Sequence, residues 1–168
     1  MPAPKYLRHG GNGAVVETQT AVTGGAPDAD KIPALDGNGR LTMSMMPTGI
    51  GADTAVIEAS EALAAGDFIN IHNATGAKVR KADATTAGKE AHGFVLAAVT
   101  SGANATVYFE GTNDQVTGQT PGPVFLATTA GLAAAAAPTG AGNVVQAVGV
   151  AVSATAINFE RGTPITLA

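Results

Sequence analysis

Glycine and proline interrupt this sequence at short intervals. Among 168 residues there are 22 glycines and 9 prolines, and threonine is common between them. Glycine enters turn conformations at no steric cost, and proline fixes its own φ, so both residues mark turns. Such frequent turn residues predict many short strands joined by tight turns rather than long helices. The length suits one domain, or one compact domain with an arm.

Large apolar side chains are scarce. Apolar residues make up 45% of the chain, but much of that fraction is alanine, and the chain has no tryptophan. A core must therefore combine small and β-branched residues with a few large aromatic side chains. The five phenylalanines are Phe68, Phe94, Phe109, Phe125 and Phe159.

Composition argues against several functional classes. The chain has no cysteine, which removes disulfides and thiolate ligands. A net charge of −4, no basic patch and seven aromatic residues argue against nucleic-acid binding. No segment has the apolar length of a membrane span or the pattern of a signal peptide. We therefore expect synthesis in the cytoplasm and no membrane partner.

Motifs of catalysis and metal binding are missing. His9, His72 and His92 lie in different segments without zinc-ligand spacing. There is no GxSxG elbow, and the glycine-rich GGNG and GIGAD stretches lack the Lys-Ser/Thr of a phosphate loop. The sequence predicts a non-enzymatic protein with no catalytic, cofactor-binding or metal site.

Charge is distributed unevenly along the chain. Residues 1–52 carry 8 charged side chains and residues 53–112 carry 11, whereas residues 113–168 carry only 3. An uncharged surface of small residues is easily buried against another protein. This third of the chain therefore favours self-association or docking on a larger assembly.

Residues 1–52 are predicted to form an extended arm with a short hairpin. Ala14 to Val22 can form one strand, and Asp36-Gly37-Asn38-Gly39 has the residues of a tight hairpin turn. The arm has many apolar residues but no room for its own core, so we expect it to pack against another protein. The interface residues that we predict are Ile32, Leu35, Leu41, Met43, Met45, Met46 and Ile50.

Residues 53–168 are predicted to form a β body, a small barrel or sandwich. Alternation and turn residues indicate its first strands. The predicted strands are 54–59, 68–72, 77–82, 93–99 and 106–110.

The body consists of two pseudo-repeats, about 53–112 and 113–168. Phe68 aligns with Val124, Gly93 with Gly149 at an offset of 56, and Phe109 with Phe159 at an offset of 50. We expect these six residues to hold equivalent core positions. The alanine run Leu132–Ala137 then corresponds to 77–82 and is predicted to be a strand, because Gly131 and Pro138 leave too few residues for a stable helix.

One stretch resembles a segment of tailed-bacteriophage virion proteins, including tail fibres. KIPALDGNGRLTMSMMP at 31–47 is similar to K-I-x-x-L-D-x-x-G-[KR]-[IL]-x-x-S-[LM]-[LM]-P. In those proteins the segment looks like an oligomerisation or attachment element. The matching residues are Lys31, Ile32, Leu35, Asp36, Gly39, Arg40, Leu41, Ser44, Met45, Met46 and Pro47.

The body resembles phage head decoration proteins, also called capsid cement proteins. The resemblance is carried by EALAAGDFINI, HGFVLAAVTSGANATVYFEG, GPVFLATTAGLA and NVVQAVGVAVSATAINFE. It implies a structural protein on the outer capsid surface of the virion, with the major capsid protein and other copies of itself as partners. Closed symmetry at shell positions favours a trimer slightly over a dimer.

Two alternatives remain open at this point. The 31–47 segment also fits a tail-fibre or baseplate-associated protein. A carbohydrate-binding β module is a more distant alternative, since such modules normally present exposed aromatic rings for sugar stacking and this chain has few.

Overall fold

A computed structural model describes residues 4–37, 39–46 and 52–168, except the side chain of Met43. The chain divides into two compact units, Met1–Gly51 and Ala52–Ala168. The predicted mainly β class is confirmed, and the described residues contain no α-helix. The strands are β1 Lys5–His9, β2 Val15–Gln19, β3 Thr54–Ala59, β4 Phe68–Asn73, β5 Ala77–Lys81, β6 Gly93–Val95, β7 Asn104–Tyr108, β8 Gly111–Asn113, β9 Gly122–Leu126, β10 Ala133–Ala134, β11 Val144–Val145, β12 Ala147–Ser153, β13 Ala156–Phe159 and β14 Ile165–Thr166.

The first unit is built on a two-stranded hairpin of β1 and β2. The strands pair antiparallel from Lys5 opposite Gln19 to His9 opposite Val15, around the glycine-rich turn 10–14. Short 3₁₀ helices follow at Ala26–Asp28 and Met43–Met45. No helix among the described residues is long and apolar enough to cross a membrane.

The hairpin was predicted at the wrong place. Asp36 does begin a tight turn, in which its amide donates to the Arg40 carbonyl (2.7 Å) and its carbonyl accepts from the Gly39 amide (3.0 Å). Within the described residues, however, no strand flanks this turn. Arg40 leads into the 3₁₀ helix instead, so the apolar residues beyond it cannot pair back across the turn.

The second unit begins with a closed five-stranded barrel in the order β3-β5-β4-β6-β7. Neighbouring strands are antiparallel except at the closure, where Glu58 and Ala59 of β3 lie parallel to Lys78 and Val79 of β5. Inside it pack Ala59, Leu63, Ile69, Val79, Val95, Ala105 and Val107.

A five-stranded antiparallel sheet in the order β10-β9-β12-β13-β8 completes the second unit. A larger cluster lies between this sheet and the outside of the barrel, because it joins Phe68 and Phe94 of the barrel to Phe159 of the sheet. The ring of Phe159 is 5.8 Å from that of Phe68 and 5.6 Å from that of Phe94. Since this cluster contains residues of both sheets, the two fold as one body.

The two sheets repeat one topology. The order β5-β4-β6-β7-β3 of the barrel corresponds strand by strand to β10-β9-β12-β13-β8. The second copy stays open because β8 has only three residues, whereas β3 has six and reaches β5 with its last two. The body thus has a closed copy and an open copy of one strand order, and the open copy begins with β8 at Gly111, ahead of the predicted boundary after residue 112.

Two predicted strands of the body are much shorter in the structure. The alanine run contributes only Ala133–Ala134, because the chain bends after Ala134 and methyl side chains offer little packing to extend the pairing. The strand predicted at 93–99 ends at Val95; Val99 instead exchanges two backbone hydrogen bonds with Leu63 (2.8 and 2.9 Å).

Candidate interaction surfaces

The first unit leaves most of its apolar side chains uncovered. Among its described residues only Ala21 is buried. Since apolar burial is the main driving force of folding, a unit without a core has surface to offer to another protein. Its exposed large apolar residues are Leu7, Val15, Val16, Val22, Ile32, Leu35, Leu41 and Met46.

Four of the seven predicted arm residues are among them. Ile32, Leu35 and Leu41 are 52%, 58% and 46% exposed, and Met46 is exposed as well. Met45 is half-buried. The side chain of Met43 and the whole of Ile50 lie outside the described residues.

Hydrogen bonds hold the first unit together in place of a core. The Ala21 amide donates to the Ile32 carbonyl (3.0 Å), and the Ala34 amide donates to the Ala21 carbonyl (2.7 Å). The Tyr6 hydroxyl lies 3.2 Å from the Ile32 amide, from which it accepts. The unit thus keeps its shape while its apolar side chains stay exposed.

The aligned glycines play the same part in both copies. A Cβ on Gly93 would run into the carbonyl oxygen of Tyr108, and one on Gly149 would run into that of Asn158. Tyr108 and Asn158 directly precede the aligned Phe109 and Phe159. In each copy, glycine allows this strand to approach the next strand closely.

The aligned apolar residues correspond less closely. Phe68 and Val124 are both fully buried in the cluster between barrel and sheet, but Ile69 is the residue opposite Gly93, whereas Val124 is opposite Gly149. Phe159 is 3% exposed in that cluster, whereas Phe109 is half-buried and packs on the barrel interior.

The outer face of the second sheet carries no charge. None of the residues in its five strands is ionisable. Across its middle, Thr112, Asn158, Val150 and Pro123 are cross-strand neighbours, and all four are exposed. Part of the sequence that carries few charges thus forms an exposed, uncharged sheet face.

Asp67 and His92 of the body have structural partners, whereas the buried Nδ1 of His72 has no hydrogen-bond partner among the described residues. Asp67 is buried and accepts from the Ala64 amide (2.7 Å), with Lys81 Nζ at 3.4 Å. His92 Nδ1 accepts from the Ile71 amide (2.9 Å), and burial followed by nearby Arg161 lowers the pKa of His92, against the opposing effect of Glu90. In the described part of the chain no three metal-ligating side chains converge.

A cleft of about 330 Å³ opens at one edge of the second sheet. Its walls are the segments 64–67, 115–119 and 131–133, and Asp67 is the one ionisable residue among them. The carboxylate of Asp67 is already engaged by Ala64 and Lys81, so this cleft offers no free charged group.

Sequence reasoning missed β1 and several exposed apolar residues of the body. The residues K-Y-L-R-H before a glycine-rich turn and V-V-E-T-Q after it were the available signal for the hairpin. The exposed body residues had no comparable signal, because exposure depends on which strands become neighbours. They are Val56, Leu132, Val150, Val152 and Ile165.

Comparison with protein-family models, with curated proteins and with solved structures finds no match for this chain.

Proposed function

We propose that this chain is a non-enzymatic virion protein of a tailed bacteriophage that decorates the outer capsid surface. It stabilises the shell by bridging capsid subunits, and its partners are the major capsid protein and other copies of itself. The observation that carries the proposal is the first unit, which exposes eight large apolar side chains while Ala21 is its one buried described residue.

The position of those side chains adds support. Ile32, Leu35, Leu41 and Met46 all belong to the segment 31–47 that resembles the attachment element of phage virion proteins. In a cement protein such an element lies across a neighbouring subunit, where apolar area is buried only after assembly.

The body suits the same role. Its barrel and sheet share a packed core, so it forms a rigid block, and one sheet face is uncharged. A protein that binds only the expanded shell stabilises that state by mass action, by about 2.7 kcal/mol per site at a free concentration 100 times its Kd.

The test is binding of the purified chain to empty capsids of the parent phage before and after expansion. We expect binding to expanded shells only, and shells that withstand a higher temperature once decorated. Binding to isolated tails or baseplates instead of heads would replace the proposal with the tail-associated alternative, and a glycan-array signal without head binding would favour the carbohydrate module.

A matched pair of variants tests the arm's part. Ile32→Asp combined with Leu35→Asp places charge on exposed apolar positions and should weaken shell binding at least tenfold, about 1.4 kcal/mol. Thr86→Asp combined with Ala87→Asp, on an exposed turn of the body, should bind as the unaltered protein does. Equal binding by both variants would remove the arm from the interface.

A further inference from the structure

The hairpin of β1 and β2 has backbone groups that point outward along both edges. The Gly10 amide donates to Ala14 (2.7 Å) and the Thr20 amide to Pro4 (2.9 Å), which makes these hydrogen-bonded pairs. Because such pairs alternate in an antiparallel ladder, the intervening residues direct their amides and carbonyls away from the partner strand. These outward residues are Lys5, Leu7 and His9 on β1 and Val15, Glu17 and Gln19 on β2.

Within the described residues, nothing else pairs with these strands. The segment 32–34 bonds to Ala21, beyond the end of β2, and leaves Val15–Gln19 free along the outer edge. A two-stranded hairpin with two open edges is marginally stable alone and is a template for another strand.

The two edges carry opposite charge. β1 has Lys5 and Arg8, whereas the one charged residue of β2 is Glu17. The side chains of Lys5 and Glu17 already form an exposed ion pair within the hairpin, at 48% and 56% exposure. A further strand therefore meets positively charged side chains at the β1 edge and a negatively charged side chain at the β2 edge.

We propose that copies of this chain join edge to edge through this hairpin, with β2 of one copy antiparallel to β1 of the next. This partner is favoured by charge complementarity. Pairing β1 with β1 places two lysines and two arginines in one strand pair. Pairing β2 with β2 about its centre sets Glu17 opposite Glu17. Like charges opposite each other destabilise a sheet.

The β2-to-β1 pairing also gathers the apolar side chains. In the register of the hairpin itself, Glu17 lies opposite Leu7 of the next copy and diagonal to its Lys5, while Val15 lies opposite its His9. Leu7 and Val15 are 71% and 60% exposed in one copy and share one face of the hairpin. Each then gains a neighbour across the new strand pair.

This geometry excludes a twofold dimer. Each copy donates one β1 edge and one β2 edge, so the interface is head-to-tail, and such interfaces produce rings or filaments. The association requires no shell, and it gives a structural basis to the self-association in the proposed function.

The first experiment measures association of the purified full chain, without capsids, by sedimentation across a concentration series. Lys5→Glu with Arg8→Glu should weaken association at least tenfold, and so should Glu17→Lys. All three changes together restore opposite signs and should restore association. Thr86→Glu and Thr86→Lys, which change the charge in the same directions on an exposed turn, should have no effect.

The second experiment separates association from loss of the hairpin. The amides of Tyr6, Arg8 and Thr18, which bond within the hairpin, should be protected from hydrogen exchange in the monomer as well as in the associated state. Exchange of Leu7 and Glu17, whose amides point outward, should slow only at concentrations where copies associate.

Three results would overturn the inference: a monomer at all concentrations, a twofold dimer, or association that Glu17→Lys leaves unchanged while the inward amides stay protected. Because no capsid is present, any of these results leaves shell binding to be judged by its own test.

Discussion

At the residue scale, Gly149 shows how closely β12 approaches β13. Two separate features exclude a side chain there: a backbone φ of 128° and the carbonyl of Asn158 in the space that a Cβ would occupy. Gly93 meets the equivalent carbonyl of Tyr108 in the other copy. The sequence alignment of these two glycines thus has a steric basis, which is the strand approach itself.

A comparison with Gly122 separates the cost of the steric clash at Gly149 from the cost of the backbone strain. Its φ of 131° nearly equals that of Gly149, but no atom lies within 4 Å of its added Cβ. Gly122→Ala should therefore cost only the backbone strain, about 1–3 kcal/mol. Gly149→Ala should cost about 1–3 kcal/mol more, because β13 must move. Equal free energies of unfolding in urea for the two variants would contradict the close approach.

His92 makes the stability of the body depend on pH. Its Nδ1 accepts a hydrogen bond from Ile71, and burial and Arg161 lower its pKa below the ordinary value of 6.5. The folded state thus binds a proton less readily than the unfolded state, so the contribution of His92 is complete above pH 6.5 and is lost as the pH falls through its lowered pKa.

Thermal unfolding between pH 7.5 and 5 tests this prediction. We expect the unaltered protein to lose stability below pH 6.5, and His92→Asn to show a flatter profile in the same range. Parallel profiles for the two proteins would show that another group is responsible.

At the element scale, Gln146 joins three segments ahead of β12. It is fully buried; its Oε1 accepts from the Ala91 amide (2.7 Å), and its Nε2 donates to the carbonyls of Ala91 (2.9 Å) and Gly162 (3.2 Å). The side chain of Gln146 thereby links the 83–91 loop to the chain after β13 through hydrogen bonds to backbone groups.

Gln146→Leu removes these bonds and leaves buried polar groups of Ala91 without partners. We expect a loss of about 1–3 kcal/mol in unfolding free energy, since an unsatisfied buried group bears its full desolvation cost. Amide exchange of Ala91 should also accelerate. Gln119→Leu, at a partly exposed position, is the control and should change neither quantity appreciably.

Element boundaries were predicted best where a strand has at least one buried face. β3 was predicted as 54–59 and is observed there, because its alternate residues point into the barrel. β1 was missed because neither of its faces is buried, so no apolar alternation marks it. The bend after Val95 was missed because the residues beyond it are as apolar as those of the strand.

At the scale of the whole molecule, the chain combines a unit without a core and a body with two. Ala52–Ala168 contains both buried clusters, whereas none of the described residues of Met1–Gly51 belongs to either. The body should therefore be stable without the first unit, because its own buried clusters stabilise it.

Removing residues 1–50 tests this division. We expect the thermal midpoint of the body to change little, because its core is intact, while self-association and shell binding fall. Circular dichroism and sedimentation measure the two effects. A truncated protein that unfolds at much lower temperature, or that still assembles and decorates shells, would contradict the prediction.

The sequence by itself determined the β class and the small number of residues that the N-terminal unit can bury. Turn residues, the period of apolar residues and the spacing of glycines are local properties, so they can be read along the chain. It also determined that the last third, residues 113–168, carries only three charged side chains, whatever fold displays them.

Tertiary structure alone decided which copy closes and what faces outward. The alternation of β3 defines its faces but not its neighbours. Closure depends on β3 reaching β5 through a parallel pairing, and β8 stops too early to do the same. Strand partnership is a long-range choice made by packing, which no local pattern encodes. The exposed edges of β1 and β2 follow from the same kind of choice.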